Sequence, residues 1–355
     1  MPKEGGIDFI IRYLYKKNVT LYKIEHPFDK YNACSTMKEN EKKLFSQRPL
    51  FKPPIVWVFE ILLNIYWCSR VRKKYDWIFV SDPLNFISAY LLKLIGFTRK
   101  IHWHSVDYSP RRFDSFFLEW IYQKTYNFSA KKSDRITVVS TRMLTLINKI
   151  SNNPNVFLLP NSPFYNSVPK QIVKNRYSLV LTVSKLDTQV DIEKLLNVSR
   201  LLKKKYNLVE FHLIGYSDNT FADFIKNSDL SSFVTLHGIV PYSQCLNLVS
   251  SCGVGIVWYT DEKSYLQFAD SLKIWEYAAA GLPIITNDVV ATSDEVLESK
   301  SGFVITTVEE MYEAIDQLFS DSSLYDQMSR NALAWAQKND KRVLLDKIFS
   351  SNIDN

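Results

Sequence analysis

The chain has little glycine, nine residues in 355, and only four cysteines. Cys34, Cys68, Cys245 and Cys252 show no C-x-x-C spacing and no nearby histidine pair. That pattern argues against a zinc site and against a disulfide framework, and leads us to expect reduced, buried thiols in a cytosolic protein. No secretory signal opens the chain, since "MPKEGGIDF" lacks an apolar core. No run is both long and free of charge. "PPIVWVFEILLNIYWCS" carries Glu60, and "LNFISAYLLKLIGF" is too short to span a bilayer. Internal repeats, low-complexity tracts and a D-x-D motif are also missing.

What is there is an ordinary globular balance, 46% hydrophobic and 23% charged residues, with aromatics at 14%. The length favours two domains over one core. Charge is unevenly divided. Residues 1–165 hold 26 Lys+Arg against 13 Asp+Glu, a net of +13, while residues 166–355 hold 18 against 24, a net of −6. A basic half beside an acidic half points to an anionic partner for one domain, nucleic acid or anionic lipid.

Both halves alternate short apolar runs with amphipathic segments. "NVTLYKIEH", "DWIFVSD", "KIHWHSVD" and "RITVVS" read as strands in the first half, with helices near 7–17, 55–74, 83–95, 114–132 and 140–150. "YSLVLTVS", "EFHLIGY", "FVTLHGI", "GVGIVWY", "LPIIT" and "GFVIT" repeat that grammar in the second. Such alternation predicts βαβ units and parallel sheets. The seam falls near "FLLPNSPFYNSVPKQIVKNRYS", where three prolines break both periodicities. We therefore expect domains over 1–165 and 166–338, with a C-terminal helix over 339–355 packing back on the first. A doubly wound domain ordinarily begins with a strand feeding its first loop, yet here Gly5-Gly6 come almost at once. Either that strand is missing or another part of the chain supplies it.

The densest signal is "DSLKIWEYAAAGLPIIT", residues 270–286. With Asp270 as N-cap, the helix begins at Ser271 and is ended by Gly281 and Pro283. At 100° per residue, Leu272, Ile274, Trp275, Ala278 and Ala279 share one face, and Asp270, Lys273, Glu276 and Tyr277 the other. The second face starts beside the C-terminal edge of a parallel sheet, where open α/β folds bind ligands. Free N–H groups and the helix dipole favour a phosphate there, Lys273 adds a point charge, and Glu276 can accept two ribose hydroxyls. A plain i, i+3 ion pair would read the same in sequence.

This segment resembles the C-terminal signature of GT-B nucleotide-sugar glycosyltransferases, family 4 and its relatives, through Lys273, Glu276, Ala279 or Ala280, Gly281, Pro283 and Ile284-Ile285. Similar echoes lie in "LTVSKLDTQVDIEKLL", "FHLIGYSD", "VTLHGIVPYSQCLNLVSSCGVGI" and "LPNSP". The resemblance implies an α/β, GT-B fold: two Rossmann-like doubly wound domains facing across a cleft. It places Lys185 on the donor diphosphate and Gly215 in the following turn, beside Asp270, Ser271, Lys273 and Glu276 as donor-binding residues. The chain departs from the family at Phe268, eight residues before Glu276, where E-x7-E has its first carboxylate. "D-S-L-K" is closer to a bacterial polysaccharide branch that inverts at the anomeric carbon, so retention and inversion both stay open.

On the acceptor side, "KIHWHSVDYSPRRF" puts His102 and His104 on one strand face and Asp107 at the strand end. An inverting transfer needs a base for the acceptor hydroxyl, Asp107 first and His104 as alternative. A histidine pair held by packing is the plainer reading. Arg111 and Arg112, with Gly5 and Gly6 as an acceptor loop, complete the expected acceptor set. Trp57, Trp67, Trp77 and Phe86 beside "RVRKK" suit either a core or a basic, aromatic membrane-facing surface.

The resemblance thus implies a metal-independent hexosyltransferase without cofactor, acting on a nucleoside diphosphate sugar with UDP favoured. Its acceptor would be a lipid-linked glycan in bacterial surface polysaccharide synthesis, reached from the cytoplasm at the inner face of the plasma membrane. No nucleic acid is expected as partner, because the aromatics follow core helix spacing. Closure about residues 160–170 would exclude water. A GT-B epimerase and a non-catalytic scaffold binding an anionic partner are the alternatives.

Overall fold

The computed structural model describes residues 7–17, 19–27, 33–170, 175–183, 190–215, 219–260 and 264–349. Two compact units emerge, one over Gly5–Leu159 and one from Pro160 onward. Each has its own sheet and core.

The N-terminal unit opens with α1 (Ile7–Tyr15), whose Phe9, Ile10, Tyr13 and Leu14 are buried. A small antiparallel sheet follows, β1 (Tyr22–Glu25), β2 (Ser35–Glu39) and β3 (Lys42–Gln47), in that spatial order. The hairpin between β2 and β3 was not expected from the sequence. Its strands pair Glu39 with Lys42, so Asn40 and Glu41 form a two-residue loop with φ of 44° and 69°. Positive φ at both positions is what a type I′ turn demands, and asparagine tolerates it. Then come α2 (Ile55–Val71), β4 (Tyr75–Val80), α3 (Phe86–Leu94), β5 (Thr98–Ser105), α4 (Phe116–Lys132), β6 (Arg135–Val138), α5 (Thr141–Ile150) and β7 (Val156–Leu158). Strands β4-β5-β6-β7 form a parallel sheet in sequence order. Ser115 and Ser140 cap α4 and α5 by accepting from Leu118 and Met143 N–H.

The C-terminal unit runs β8 (Asn175–Val183), α6 (Ile192–Lys205), β9 (Glu210–Gly215), α7 (Asn219–Lys226), β10 (Val234–Gly238), α8 (Tyr242–Ser251), β11 (Cys252–Val257), α9 (Leu272–Ala280), β12 (Ile284–Asn287), α10 (Thr292–Ser299), β13 (Gly302–Ile305), α11 (Val308–Ser320), α12 (Ser322–Lys338) and α13 (Lys341–Phe349). All six strands are parallel, in the order β10-β9-β8-β11-β12-β13. The first strand therefore lies at the centre, and the winding reverses between β8 and β11. Such a switch point leaves a crevice outside the carboxyl ends of the two strands. Helices cover the sheet, so β11 is buried along its whole length and reads as a continuous apolar run. Asp191 caps α6, and Thr307 with Glu310 forms a capping box on α11.

Candidate functional site

The carboxyl ends of β8 and β11 define the place to build from. After β8 the chain enters 184–189, so Lys185 lies outside the described residues, as do Gly5 and Gly6. The neighbouring strand β9 ends at Gly215 with φ of 137°, and a Cβ there would stand 1.7 Å from Val183 O. The backbones of β8 and β9 approach so closely at this edge that glycine alone fits.

The strand β11 leads through Trp258 and Tyr259 to α9. Tyr259 is fixed by its N–H to Asn287 Oδ1 at 3.0 Å and by Asn287 Nδ2 donating to its carbonyl at 2.7 Å. Its hydroxyl hydrogen-bonds Ser271. The cap of α9 is Ser271, whose hydroxyl accepts from Ile274 N–H, and the helix begins at Leu272. This corrects the expected Asp270 cap by one residue.

Asp270 has another task. Its Oδ1 accepts from Trp275 Nε1 and Thr292 Oγ1, both at 2.8 Å, and its Oδ2 accepts from Asn161 N–H. Lys341, only 2% exposed, donates to Pro160 O and interacts electrostatically with Asp270. Burial pushes the Asp270 carboxyl up and the Lys341 ammonium down from their ordinary values, and mutual attraction opposes both shifts. Asp270 thus ties the start of α9 to α10, to Pro160-Asn161 and to α13. Its contacts are those of a positioning group.

The expected division of α9 into an apolar and a polar face also changes. Glu276 and Tyr277 are buried with Ile274, Trp275 and the alanines. Trp275 packs on Trp335 with ring centroids 4.2 Å apart, and the Tyr277 hydroxyl accepts from Thr182 N–H at 2.9 Å. Gly281, at φ 71°, ends the helix in the left-handed region. Lys273 is partly exposed and makes no ion pair among the described residues; its ammonium sits over the Tyr259 ring, 5.4 Å from the centroid. The i, i+3 ion pair that could have explained the acid-base-acid row is not formed. At the N-terminus of α9, beside the switch point, the site brings together the Ser271 cap, a partly exposed ammonium and a buried carboxylate one turn inside. That set can meet a phosphate and, through Glu276, neighbouring hydroxyls.

The N-terminal unit separates its candidates by burial. His104 is 2% exposed, with Nδ1 2.8 Å from Thr137 Oγ1; His102 Nε2 stands 2.8 Å from the same hydroxyl. Burial drives His102 well below its ordinary pKa. This pair belongs to the core between β5 and β6. Asp107 is exposed on the loop after β5 and takes Arg112 Nη1 at 2.9 Å. Arg112 lies over the Tyr122 ring, its N–H donating to Glu119, while Arg111 is exposed. Sequence reasoning did not single out Glu60, His26 or Asp82, which line a cavity of about 1200 Å³. Glu60 Oε1 is 4.0 Å from His26 Nδ1, and burial with the Asp82 charge pushes its carboxyl up to about 7. The only sequence signal was a lone acid in an apolar run. Among the described residues no group of three or more His, Cys, Asp or Glu is placed to hold a metal ion, and no helix is long and apolar enough to cross a membrane.

Residues 196–351 match the family model of the Glucosyltransferase 3-like C-terminal domain. Glucosyltransferase 3 of Streptococcus parasanguinis is 26% identical over 135 residues, 36% of this chain and 40% of that protein. The chain thus aligns with less than half the length of this curated relative. Sucrose-phosphate synthase from Thermosynechococcus elongatus superimposes with a TM-score of 0.68 at 14% identity, over 98% of this chain and 92% of that one. A mutant TarM of S. aureus, in complex with fondaparinux, α-GlcNAc-glycerol and UDP, gives 0.63 at 16% identity over 90% and 61%. The resemblance to GT-B nucleotide-sugar glycosyltransferases is borne out, and the fold is GT-B.

Proposed function

We propose that this chain is a glycosyltransferase that moves a sugar from a nucleoside diphosphate sugar, with UDP favoured, to a hydroxyl of a glycan acceptor. The observation that carries this reading is the N-terminus of α9 at the β8/β11 switch point, with Lys273 in no ion pair among the described residues and Glu276 buried one turn in. UDP stands in the TarM complex, which supports that base for the donor. As the glycosidic bond breaks, charge gathers on the leaving diphosphate. Free N–H groups and the Lys273 ammonium would stabilise that charge in place, with no reorganisation needed. Glu276 would accept donor hydroxyls. Asp107, exposed and oriented by Arg112, is the better base for the acceptor hydroxyl, because the His104 ring is spent on Thr137 inside the core.

A lipid-linked acceptor and contact with the inner face of a membrane are further parts of the proposal. They are supported by the net +13 of residues 1–165 and by an exposed apolar stripe on α2.

Thermal shift with UDP, GDP, ADP and CMP tests the donor site. UDP at a hundred times its Kd should add about 2.7 kcal/mol. The gain should vanish in Glu276→Ala and shrink in Lys273→Ala, a partly exposed position in no ion pair among the described residues. No shift with any nucleotide would sink the donor reading. Asp107→Ala should keep the UDP shift and lose transfer by roughly 10²–10⁴-fold; undiminished transfer would move the base elsewhere.

A further inference from the structure

The N-terminal unit holds a buried acid that its neighbours do not satisfy. Glu60, on α2, is 9% exposed, and its carboxyl makes no hydrogen bond among the described residues. The polar network beside it closes without it. His26 donates from Nε2 to Asn64 Oδ1 and accepts at Nδ1 from the Ser35 hydroxyl, both at 2.9 Å. Asn64 Nδ2 in turn donates to Asn85 Oδ1 at 3.0 Å and to Ser88 Oγ at 3.3 Å. Asp82 uses Oδ1 for the N–H groups of Leu84 and Asn85, at 2.8 and 2.9 Å, and its Oδ2 bonds nothing among the described residues. A buried carboxyl with no donor is costly, so each one in a fold calls for an explanation.

Glu60 and Asp82 both line the cavity of about 1200 Å³, whose walls are made apolar by Ile10, Ile24, Ile78 and Leu92 from α1, β1, β4 and α3. The cations on its lining are engaged or exposed. Arg112 pairs with Asp107 at 2.9 Å, Lys23 with Glu25 at 2.7 Å and Asp8 at 3.8 Å, and Lys73 with Glu39 at 3.6 Å. Lys74 and Asp76 are exposed. Two carboxyl groups with open oxygens therefore face an apolar space, and no buried cation answers Glu60 among the described residues. We propose that this cavity binds a molecule carrying a primary ammonium group on an apolar body, with the ammonium seated at Glu60 and Asp82. An ammonium brings three donors and the positive charge that the two acids lack. A hydroxyl would donate one hydrogen bond and leave the acids repelling each other. A metal ion would find no set of three ligands among the described residues and would leave the apolar walls bare.

The site stands apart from the transfer chemistry, and its test reads none. Hexylamine, hexanol and hexanoate carry one apolar chain with a cationic, a neutral and an anionic head. In calorimetric titration at pH 8, hexylamine should bind more tightly than hexanol by about tenfold or more, and hexanoate most weakly. Burial and the Asp82 charge hold the Glu60 carboxyl up at about 7, so below that pH the ammonium has to displace a proton. Hexylamine affinity should thus rise about tenfold from pH 6 to pH 8, while hexanol affinity stays level. Burial holds His26 below its ordinary value and pushes Cys68, Tyr75 and Tyr122 up, so these groups do not supply that rise. At pH 7 about half a proton should leave per ammonium bound, read from the heats in two buffers. Glu60→Gln should lose the preference for hexylamine and its pH dependence, yet bind hexanol as before, which shows the cavity intact. If the variant loses hexanol too, the pH series in the wild type decides alone. Equal binding of hexylamine and hexanol by the wild type would overturn the proposal, as would a preference that survives in Glu60→Gln or no binding of any of the three.

Discussion

Glu60 is a residue whose charge the fold tolerates poorly. Its carboxyl is raised to about 7 from an ordinary 4.5 by burial and by the neighbouring Asp82. Between those values the native chain holds a proton that the unfolded chain has released. Stability therefore falls as pH rises from about 5 to 7. Glu60→Gln removes the penalty. We expect the variant to match the wild type near pH 5 and to exceed it at pH 7.5, by up to about 3 kcal/mol. Denaturant unfolding at both pH values checks this; a constant difference would show that Glu60 does not titrate in this window. The same scale separates the two candidate bases. His104 and Asp107 lie three positions apart, yet β5 buries the first and its loop exposes the second.

At the scale of elements, α2 carries an unusual outer face. Ile55, Val58 and Leu62 are 61%, 60% and 60% exposed, and Tyr66 continues the row one turn on. Steps of three and four residues place them on one side of the helix, near Arg70, Arg72, Lys73 and Lys74 at its end. An apolar stripe ending in a basic cluster suits the surface of an anionic membrane. Val58→Glu and Leu62→Glu together should reduce co-sedimentation with vesicles containing about 30% phosphatidylglycerol by roughly tenfold or more, with unchanged melting. Equal binding by variant and wild type would remove the membrane from the proposal.

Much at this scale was legible. Continuous apolar runs marked β8, β9 and β11, and Gly281 with Pro283 marked the end of α9. Lys273 and Glu276 were visible as candidates because their spacing placed them at a helix start after a buried strand. The burial of Glu276 and Tyr277 was not visible, since it depends on β8 and α12 packing from elsewhere in the chain. The β2–β3 hairpin was missed because its charged residues alternate with few apolar ones, and Asn40 was its sole turn signal. The role of Asp270 escaped for a similar reason: its partners Asn161, Thr292 and Lys341 are remote in sequence.

At the scale of the whole chain, two units with separate cores divide a basic half from an acidic one, and the C-terminal unit is tied together by long-range contacts. Lys341 and Asp270 are the central pair. Removing one of two buried groups of opposite charge leaves the other without its electrostatic partner, so Lys341→Ala should cost about 3 kcal/mol in the C-terminal unit. Asp270→Asn combined with Lys341→Met should cost less than the two single changes added together. Strict additivity in urea unfolding would show that the two groups do not act as a pair. These contacts also impose an order in time. β8 reaches its partner β11 only after the intervening strands and helices have been made, and Lys341 meets Pro160 across 181 positions. The crevice beside α9 thus rests on contacts that reach from Pro160 to α13, and chains truncated before α13 should bind the proposed nucleotide more weakly than the full chain.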